Sequence, residues 1–170
     1  ILSKFLTVIL FSVVSVVFVF VVSLILGLIY SDYNEIGIIF SDMQYLVGYF
    51  VKLVGFFSFC LFLGILIKRS AFALGFLILW QTFEGISTGI LYWKAEAIAP
   101  YVTRFFPLNS MANLIKEPGT RLGAVKSAAN QLGEEFTKNY DVQFWDVLIV
   151  MGWTALFIYW SYALLKKRDL

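Results

Sequence analysis

The sequence predicts an all-α, polytopic integral membrane protein with four transmembrane helices and short external helices between the third and the fourth. Hydrophobic residues make up 61% of the chain and charged residues only 14%. The mean hydropathy of +0.86 lies well above that of soluble domains. Four apolar runs are each long enough to cross a hydrocarbon core about 30 Å thick, and lipid requires such runs to be helical. Residues 1–170 are therefore interpreted as a single transmembrane domain.

The first span, at about residues 5–30, is an almost unbroken run of Val, Phe, Leu and Ile. It is too long for the apolar region of a signal peptide, and no small-residue cleavage motif follows it. Its β-branched residues favour strands in water, but an isolated strand leaves its backbone groups unsatisfied in lipid. We therefore expect a permanent transmembrane helix.

The second and third spans, at about residues 44–67 and 71–93, are separated only by Lys68, Arg69 and Ser70. So short a turn predicts that the two helices are antiparallel neighbours. The fourth span, at about residues 144–165, follows a long polar segment and ends in a basic tail, Lys166 to Arg168.

The distribution of lysine and arginine predicts the orientation of the chain. Lys4, the turn at 68–70 and the basic tail fall on one side of the membrane, whereas the acidic connection at 31–42 falls on the other. The turn and the carboxy-terminus are therefore expected to be cytoplasmic. We expect a multi-pass protein of the cell membrane, and specifically of a bacterial inner membrane.

The segment 94–141 is then external, and we expect it to be helical in part. Hydrophobic residues recur at helical spacing in its second half, which predicts an amphipathic helix over about 122–136. In its first half, Asn109 or Ser110 is a candidate N-cap for a brief helix over 111–115. The segment is either a packed cap on the spans or a docking surface for an external partner. Its candidate contact residues are Phe105, Phe106, Pro107 and Leu108.

Glu84 lies within the third span, where an ionisable group costs roughly 2.5 kcal/mol or more and usually faces a partner or a wet cavity. At 1.5 Å per residue, Lys52 lies roughly 12 Å and Glu84 roughly 13 Å from the outer ends of their spans. The matching depths predict an intramembrane ion pair between them. Such a pair either locks the hairpin or lines a pathway, for which Lys52, Gln81, Glu84 and Thr88 are the candidate residues.

Glycines support close packing of the same two helices. Gly48 and Gly55 share one face of the second span with Lys52, and Gly85 and Gly89 have GxxxG spacing on the third. Small residues at this spacing allow membrane helices to approach closely.

Several kinds of chemistry are excluded or disfavoured for this segment. The chain has no histidine, which excludes bis-histidine haem ligation, HExxH zinc sites and catalysis by Ser/His or Cys/His pairs. Cys60 lies in an apolar run and is interpreted as a buried thiol. No GxxxxGK[ST] loop is present to hold ATP phosphates. We expect no enzymatic activity, no cofactor, no metal and no nucleic-acid partner.

The layout of the whole chain resembles a known family. The features are SKFL entering a long span, the tight KRS turn, the polar residues in the third span, the external RFFPLNSMANLI segment and the final LLKKRDL. Together they are similar to the carboxy-terminal four helices of a type-2, exporter-like ABC transporter permease. Such a permease has six membrane helices, and the four spans here would be its third to sixth.

The resemblance implies a function. It implies a permease subunit that moves an amphipathic, lipid-linked or small-molecule substrate, paired with a second permease copy or homologue in the lipid bilayer. ATP and Mg would bind to a separate ABC ATPase subunit, whose main contact on the permease would precede Ile1. The resemblance also implies that the polar outer half of the third span departs from a straight helix.

Two alternatives from other classes stay open. One is a channel or ion-coupled carrier in which Lys52, Gln81 and Glu84 form a charged constriction. The other is a non-transporting membrane scaffold whose external helices recruit a partner through residues such as Phe105, Phe106 and Leu108.

Overall fold

The computed structural model describes residues 2–30, 43–116 and 141–167. Within these ranges the protein is all-helical, and four of its helices are long and apolar enough to cross a membrane. The predicted fold class is therefore confirmed. The predicted amphipathic helix at 122–136, the acidic connection at 31–42 and Arg168 lie outside the described residues.

The long helices agree with the predicted spans to within a few residues at each end. They are α1 (Leu2–Tyr30), α2 (Met43–Ile67), α3 (Ser70–Lys94) and α6 (Phe144–Lys166). Two short helices follow the third span, α4 (Ala99–Thr103) and α5 (Pro107–Leu114). Helix α3 runs without interruption to Lys94, so the outer half of the third span shows no break of the kind that the resemblance implied.

The turn between α2 and α3 is as tight as its sequence predicts. Lys68 has a φ of 61°, in the left-handed region that side chains other than glycine rarely adopt. Its backbone N–H donates to the carbonyl of Gly64, and Ser70 already begins the next helix. The chain therefore reverses within two residues, and α2 and α3 pack side by side.

Helix α2 is the centre of the bundle. It packs most extensively on α6 and also contacts α1, α3 and α5. An added Cβ at Gly55 would lie 2.9 Å from a methyl group of Val150, so this glycine is what allows α2 and α6 to approach so closely. Below this contact the rings of Phe59 and Phe157 lie 4.8 Å apart and form the core.

Helix α1 is peripheral. Ser12 is its single buried residue among those described, and its hydroxyl donates to the carbonyl of Val8. Phe11 makes an edge contact with Phe57 of α2, at a centroid distance of 5.5 Å. Most of the other apolar side chains of α1 are exposed, as expected for a helix that faces lipid.

Candidate functional site

Glu84 is the single acidic residue of α3, and it is buried, with a relative exposure of 5%. One carboxylate oxygen accepts hydrogen bonds from the indole N–H of Trp80, at 2.6 Å, and from the backbone N–H of Leu108, at 3.2 Å. The other oxygen accepts from the backbone N–H of Asn109, at 3.0 Å. Leu108 and Asn109 belong to the first turn of α5, whose N–H groups have no partner within the helix. Glu84 therefore caps α5 from a neighbouring helix.

Lys52 reaches the opposite end of the same short helix. Its ammonium group donates to the carbonyl of Ile115, at 3.4 Å, and Ile115 is the C-cap residue of α5. A helix carries partial positive charge at its N-terminus and partial negative charge at its C-terminus. The carboxylate and the ammonium thus each complement the charge of the helix end that they contact.

The predicted Lys52–Glu84 ion pair is wrong in its geometry. Both side chains belong to the described part of the chain, and they do not contact each other. The backbone groups that they bind are separated by the length of α5, about 10 Å at 1.5 Å per residue. The sequence correctly placed the two charges on neighbouring helices, in the halves nearest the cap, but α5 lies between them.

The predicted cap of α5 also differs from the structure. The helix begins at Pro107, earlier than expected, and proline suits this position because the first N–H of a helix has no internal partner. Ser110 donates instead to the carbonyl of Pro107, and the side-chain amide of Asn109 donates to the carbonyl of Thr103. Neither side chain caps α5, since Glu84 occupies that position.

A second polar contact ties the external element to the start of the last span. The guanidinium of Arg104 forms an ion pair with Asp146 and also donates to the side-chain oxygen of Gln143, at 2.9 Å. Asp146 is only 4% exposed and lies in the first turn of α6, where a negative charge complements the helix dipole. The pair fixes α4 and its following turn against α6.

The four external residues singled out from the sequence have different environments. Phe105 has an exposed ring, but its carbonyl accepts from the indole N–H of Trp153 on α6, at 2.9 Å. Phe106 is half-buried at the N-cap position, and Pro107 is buried. Leu108 is half-buried and supplies one of the amides bound by Glu84. The segment is thus a packed cap on at least three spans.

A polar cavity of about 440 Å³ lies at this outer end of the bundle, beside the cap. Two cations, one carboxylate and several amides and hydroxyls line it. The lining residues are Thr88, Tyr92, Pro100, Thr103, Arg104, Asn109, Asn113, Lys116, Gln143 and Asp146. Such a surface is suited to hydrogen bonding with a polar ligand.

Of the four pathway candidates, the structure brings only Thr88 to this cavity. Gln81 is exposed on α3, and Lys52 and Glu84 bind the ends of α5. Sequence reasoning did not identify Arg104, Asn109, Gln143 or Asp146 as cavity residues, and it considered Asn109 only as a helix cap. An acidic residue in the first turn of the last span was the available signal for Asp146, because carboxylates favour helix N-termini.

The glycines fall into two groups. An added Cβ at Gly48 would lie 3.1 Å from Val142, and one at Gly55 would meet Val150 and Met111. Both glycines therefore pack against the last span or the residues just before it. The sequence had suggested that they pack against α3. Around Gly85 and Gly89 no described residue lies within 4 Å of an added Cβ, so the GxxxG face of α3 makes no close contact within the described part of the chain.

No protein-family model, no curated protein and no solved structure matches this chain.

Proposed function

We propose that this protein is the membrane-spanning permease subunit of an ATP-driven ABC transporter. A separate ATPase subunit would bind ATP and Mg, and a second permease copy or homologue would complete the transporter. The cargo would be an amphipathic, lipid-linked or small-molecule substrate. The membrane would be a bacterial inner membrane, with residues 68–70 and the carboxy-terminus in the cytoplasm.

One observation carries this proposal: the short helices α4 and α5 are fixed to the bundle by part-buried polar contacts. Glu84 and Lys52 hold the two ends of α5, and Arg104 holds the turn after α4 to Asp146. The resemblance implies the same order of parts, with short external helices between the penultimate and last spans. A cap fixed in this way would move together with its spans.

Rigid coupling of this kind suits a rocking mechanism. When the partner ATPases close on ATP, the two permeases would tilt against each other and change access to the substrate. Because the cap is bound to α2, α3 and α6, tilting these helices would displace the cap and the adjacent polar cavity at once. The polar cavity would then be exposed differently on the outer side in the two states.

The carrier alternative has less support in the geometry. A charged constriction requires Lys52 and Glu84 to face a pathway, whereas each is engaged with the backbone of α5. The scaffold alternative shares the packed cap with the permease proposal and differs from it in predicting no transport.

The test is to purify the full-length protein from its native membrane in mild detergent and to reconstitute it in vesicles. We expect a P-loop ATPase to copurify and the vesicles to hydrolyse Mg-ATP. Replacing the P-loop lysine of that partner should abolish hydrolysis, whereas E96Q in this chain, an exposed position, should leave it unchanged. Ion flux without ATP would support the carrier instead, and a complex without any ATPase would contradict the proposal.

A further inference from the structure

Two adjoining cavities lie between α1 and α2 at the end of the bundle opposite the cap. Their volumes are about 470 and 490 Å³, and Lys4, Cys60 and Leu61 line both. The first is walled mainly by apolar groups, among them Phe11 and Phe57. The second adds Lys68 from the tight turn. Together they make a continuous crevice with an apolar part and a basic part.

The basic part lies at a strongly cationic end of the molecule. Lys4, Lys68, Arg69, Lys166 and Lys167 all lie at this end, near the termini of the four long helices. The acidic residues of the described ranges are Glu84, Glu96, Asp141 and Asp146, and all of them lie toward the outer side. Asp169 falls outside the described residues. The electrostatic field at the crevice therefore favours an anion.

The crevice has the dimensions and polarity of a lipid in its leaflet. Along α1, Phe11 lies seven residues from Lys4, or about 10 Å toward the bilayer centre at the helical rise. Along α2, Phe57 lies about 16 Å from Lys68 by the same rise. A headgroup at the two lysines would thus continue into an acyl chain that lies against the two phenylalanines. At Gly64, no described residue comes within 4 Å of an added Cβ, which leaves room for the ligand.

The basic part of the crevice includes the tight turn, because Lys68, which has a positive φ there, lines the second cavity. Among the described residues, the ammonium groups of Lys4 and Lys68 have no hydrogen-bond or ion-pair partner. Two cations held beside an apolar groove, without a carboxylate in its lining, match a phosphate ester better than a zwitterionic or neutral group.

We propose that this crevice binds an anionic phospholipid of the leaflet that contains Lys4 and Lys68. The phosphate contacts the two lysines, and one acyl chain lies along Thr7, Phe11, Phe57 and Leu61. Basic pockets between membrane helices are known to hold anionic headgroups, and each lysine near the surface contributes roughly a fivefold gain in affinity. The site is separate from the outer cap and does not depend on the transport proposal.

Cys60 provides the probe, because it lines both cavities and is the single cysteine of the sequence. The full-length protein, with Cys60 as its only cysteine, is reconstituted in phosphatidylcholine vesicles with or without phosphatidylglycerol. Alkylation of Cys60 by N-ethylmaleimide is then timed. We expect phosphatidylglycerol to slow the reaction about fivefold or more, since its acyl chain covers the thiol.

The double variant K4Q/K68Q should react at the same rate in both kinds of vesicle. K166Q/K167Q is the matched control, because it removes the same charge from exposed positions at the same end. It should keep the protection. If K166Q/K167Q lost the protection of Cys60 to the same extent, the protection would come from the overall surface charge, and the proposed site would be overturned. Full protection in K4Q/K68Q would also overturn it. Protection by inorganic phosphate alone would show an anion site that does not use the apolar groove, and would overturn the lipid assignment.

Discussion

Glu84 belongs to α3, but its carboxylate caps the N-terminus of another helix, α5. It receives three hydrogen bonds at 5% exposure, two of them from backbone amides of α5 that have no other acceptor within the helix. Hydrogen bonds to a charged group contribute roughly 1.5 to 3 kcal/mol each. The contact therefore accounts for a substantial part of the free energy that holds the external helix on the bundle.

Replacement of Glu84 by alanine should lower the free energy of unfolding by about 2 to 4 kcal/mol, because two part-buried backbone amides of α5 lose their acceptor. E96Q, which removes an exposed carboxylate nearby, should change it by no more than about 0.5 kcal/mol. Denaturant titration in detergent measures both variants. Equal stability of E84A and E96Q would show that the cap does not depend on this carboxylate.

A charge swap distinguishes the observed contacts of Lys52 and Glu84 with the ends of α5 from the direct ion pair that the sequence predicted. A direct pair would be restored in the double variant K52E/E84K. In the structure, the swap instead places a cation at the N-terminus of α5 and an anion at its C-terminus, so both contacts become repulsive. We expect the double variant to be less stable than either single variant, in the same denaturant titration. Recovery to wild-type stability would contradict the observed geometry.

Arg104 and Asp146 form the other buried polar contact of the cap. Asp146 is 4% exposed, so R104A would leave a nearly buried carboxylate without its cation. Removal of one partner of a buried pair typically costs about 3 to 5 kcal/mol, whereas loss of both partners costs less. R104A should therefore be less stable than R104A/D146N, as judged by thermal unfolding in detergent. A double variant that equals the sum of the two single losses would show that the side chains are not coupled.

At the scale of the elements, the glycines of α2 differ in how closely a neighbouring helix packs on them. An added Cβ at Gly55 would meet Val150 at 2.9 Å, whereas Gly64 has no described neighbour within 4 Å. G55A should cost about 1 to 3 kcal/mol through overpacking of α2 on α6. G64A, in the same helix, should be neutral or stabilising by up to about 1 kcal/mol, because alanine favours helix. Thermal unfolding compares the pair, and equal shifts would show that α2 and α6 are not closely packed.

The long helices could be predicted because the lipid requirement acts on each segment separately. Apolar length sets the spans, and the Lys68 to Ser70 turn sets the α2–α3 hairpin. The partners of the polar groups could not be predicted in the same way. Glu84 and Lys52 bind backbone atoms of α5, and a backbone amide or carbonyl has no signature in the sequence. The depth of a residue in its span can be compared only with the depths of other side chains. The matching depths of Lys52 and Glu84 therefore suggested an ion pair.

The same limit applies to the glycines and the last span. Gly48 and Gly55 lie on the face of α2 that carries Lys52, but the sequence does not say which neighbour that face meets. The hairpin turn made α3 the obvious candidate. Helix α6, more than eighty residues farther along the chain, packs there instead. Long-range pairing of apolar helices depends on side-chain fit, which composition does not encode.

For the whole molecule, the asymmetry of charge is the property that orients the protein in the membrane. Within the described residues, the carboxylates lie toward the capped end, whereas the opposite end carries Lys4, Lys68, Arg69, Lys166 and Lys167. Lysine and arginine in short loops favour the cytoplasmic side. In the proposed orientation, the cap is external and the proposed lipid site lies in the inner leaflet.

Cysteine accessibility in intact cells tests this orientation directly. In a C60S background, a cysteine at Phe105, which is exposed on the cap, should react with a membrane-impermeant maleimide added outside. A cysteine at Lys167, exposed at the end of α6, should react only after the cells are opened. The two sites lie on opposite ends of one bundle, so their reactivities must be opposite in any single orientation. Labelling of Lys167→Cys in intact cells, with Phe105→Cys protected, would invert the topology. Residues 68–70 and the carboxy-terminus would then face away from the cytoplasm. The permease proposal requires them on the cytoplasmic side, where the proposed ATPase subunit would bind.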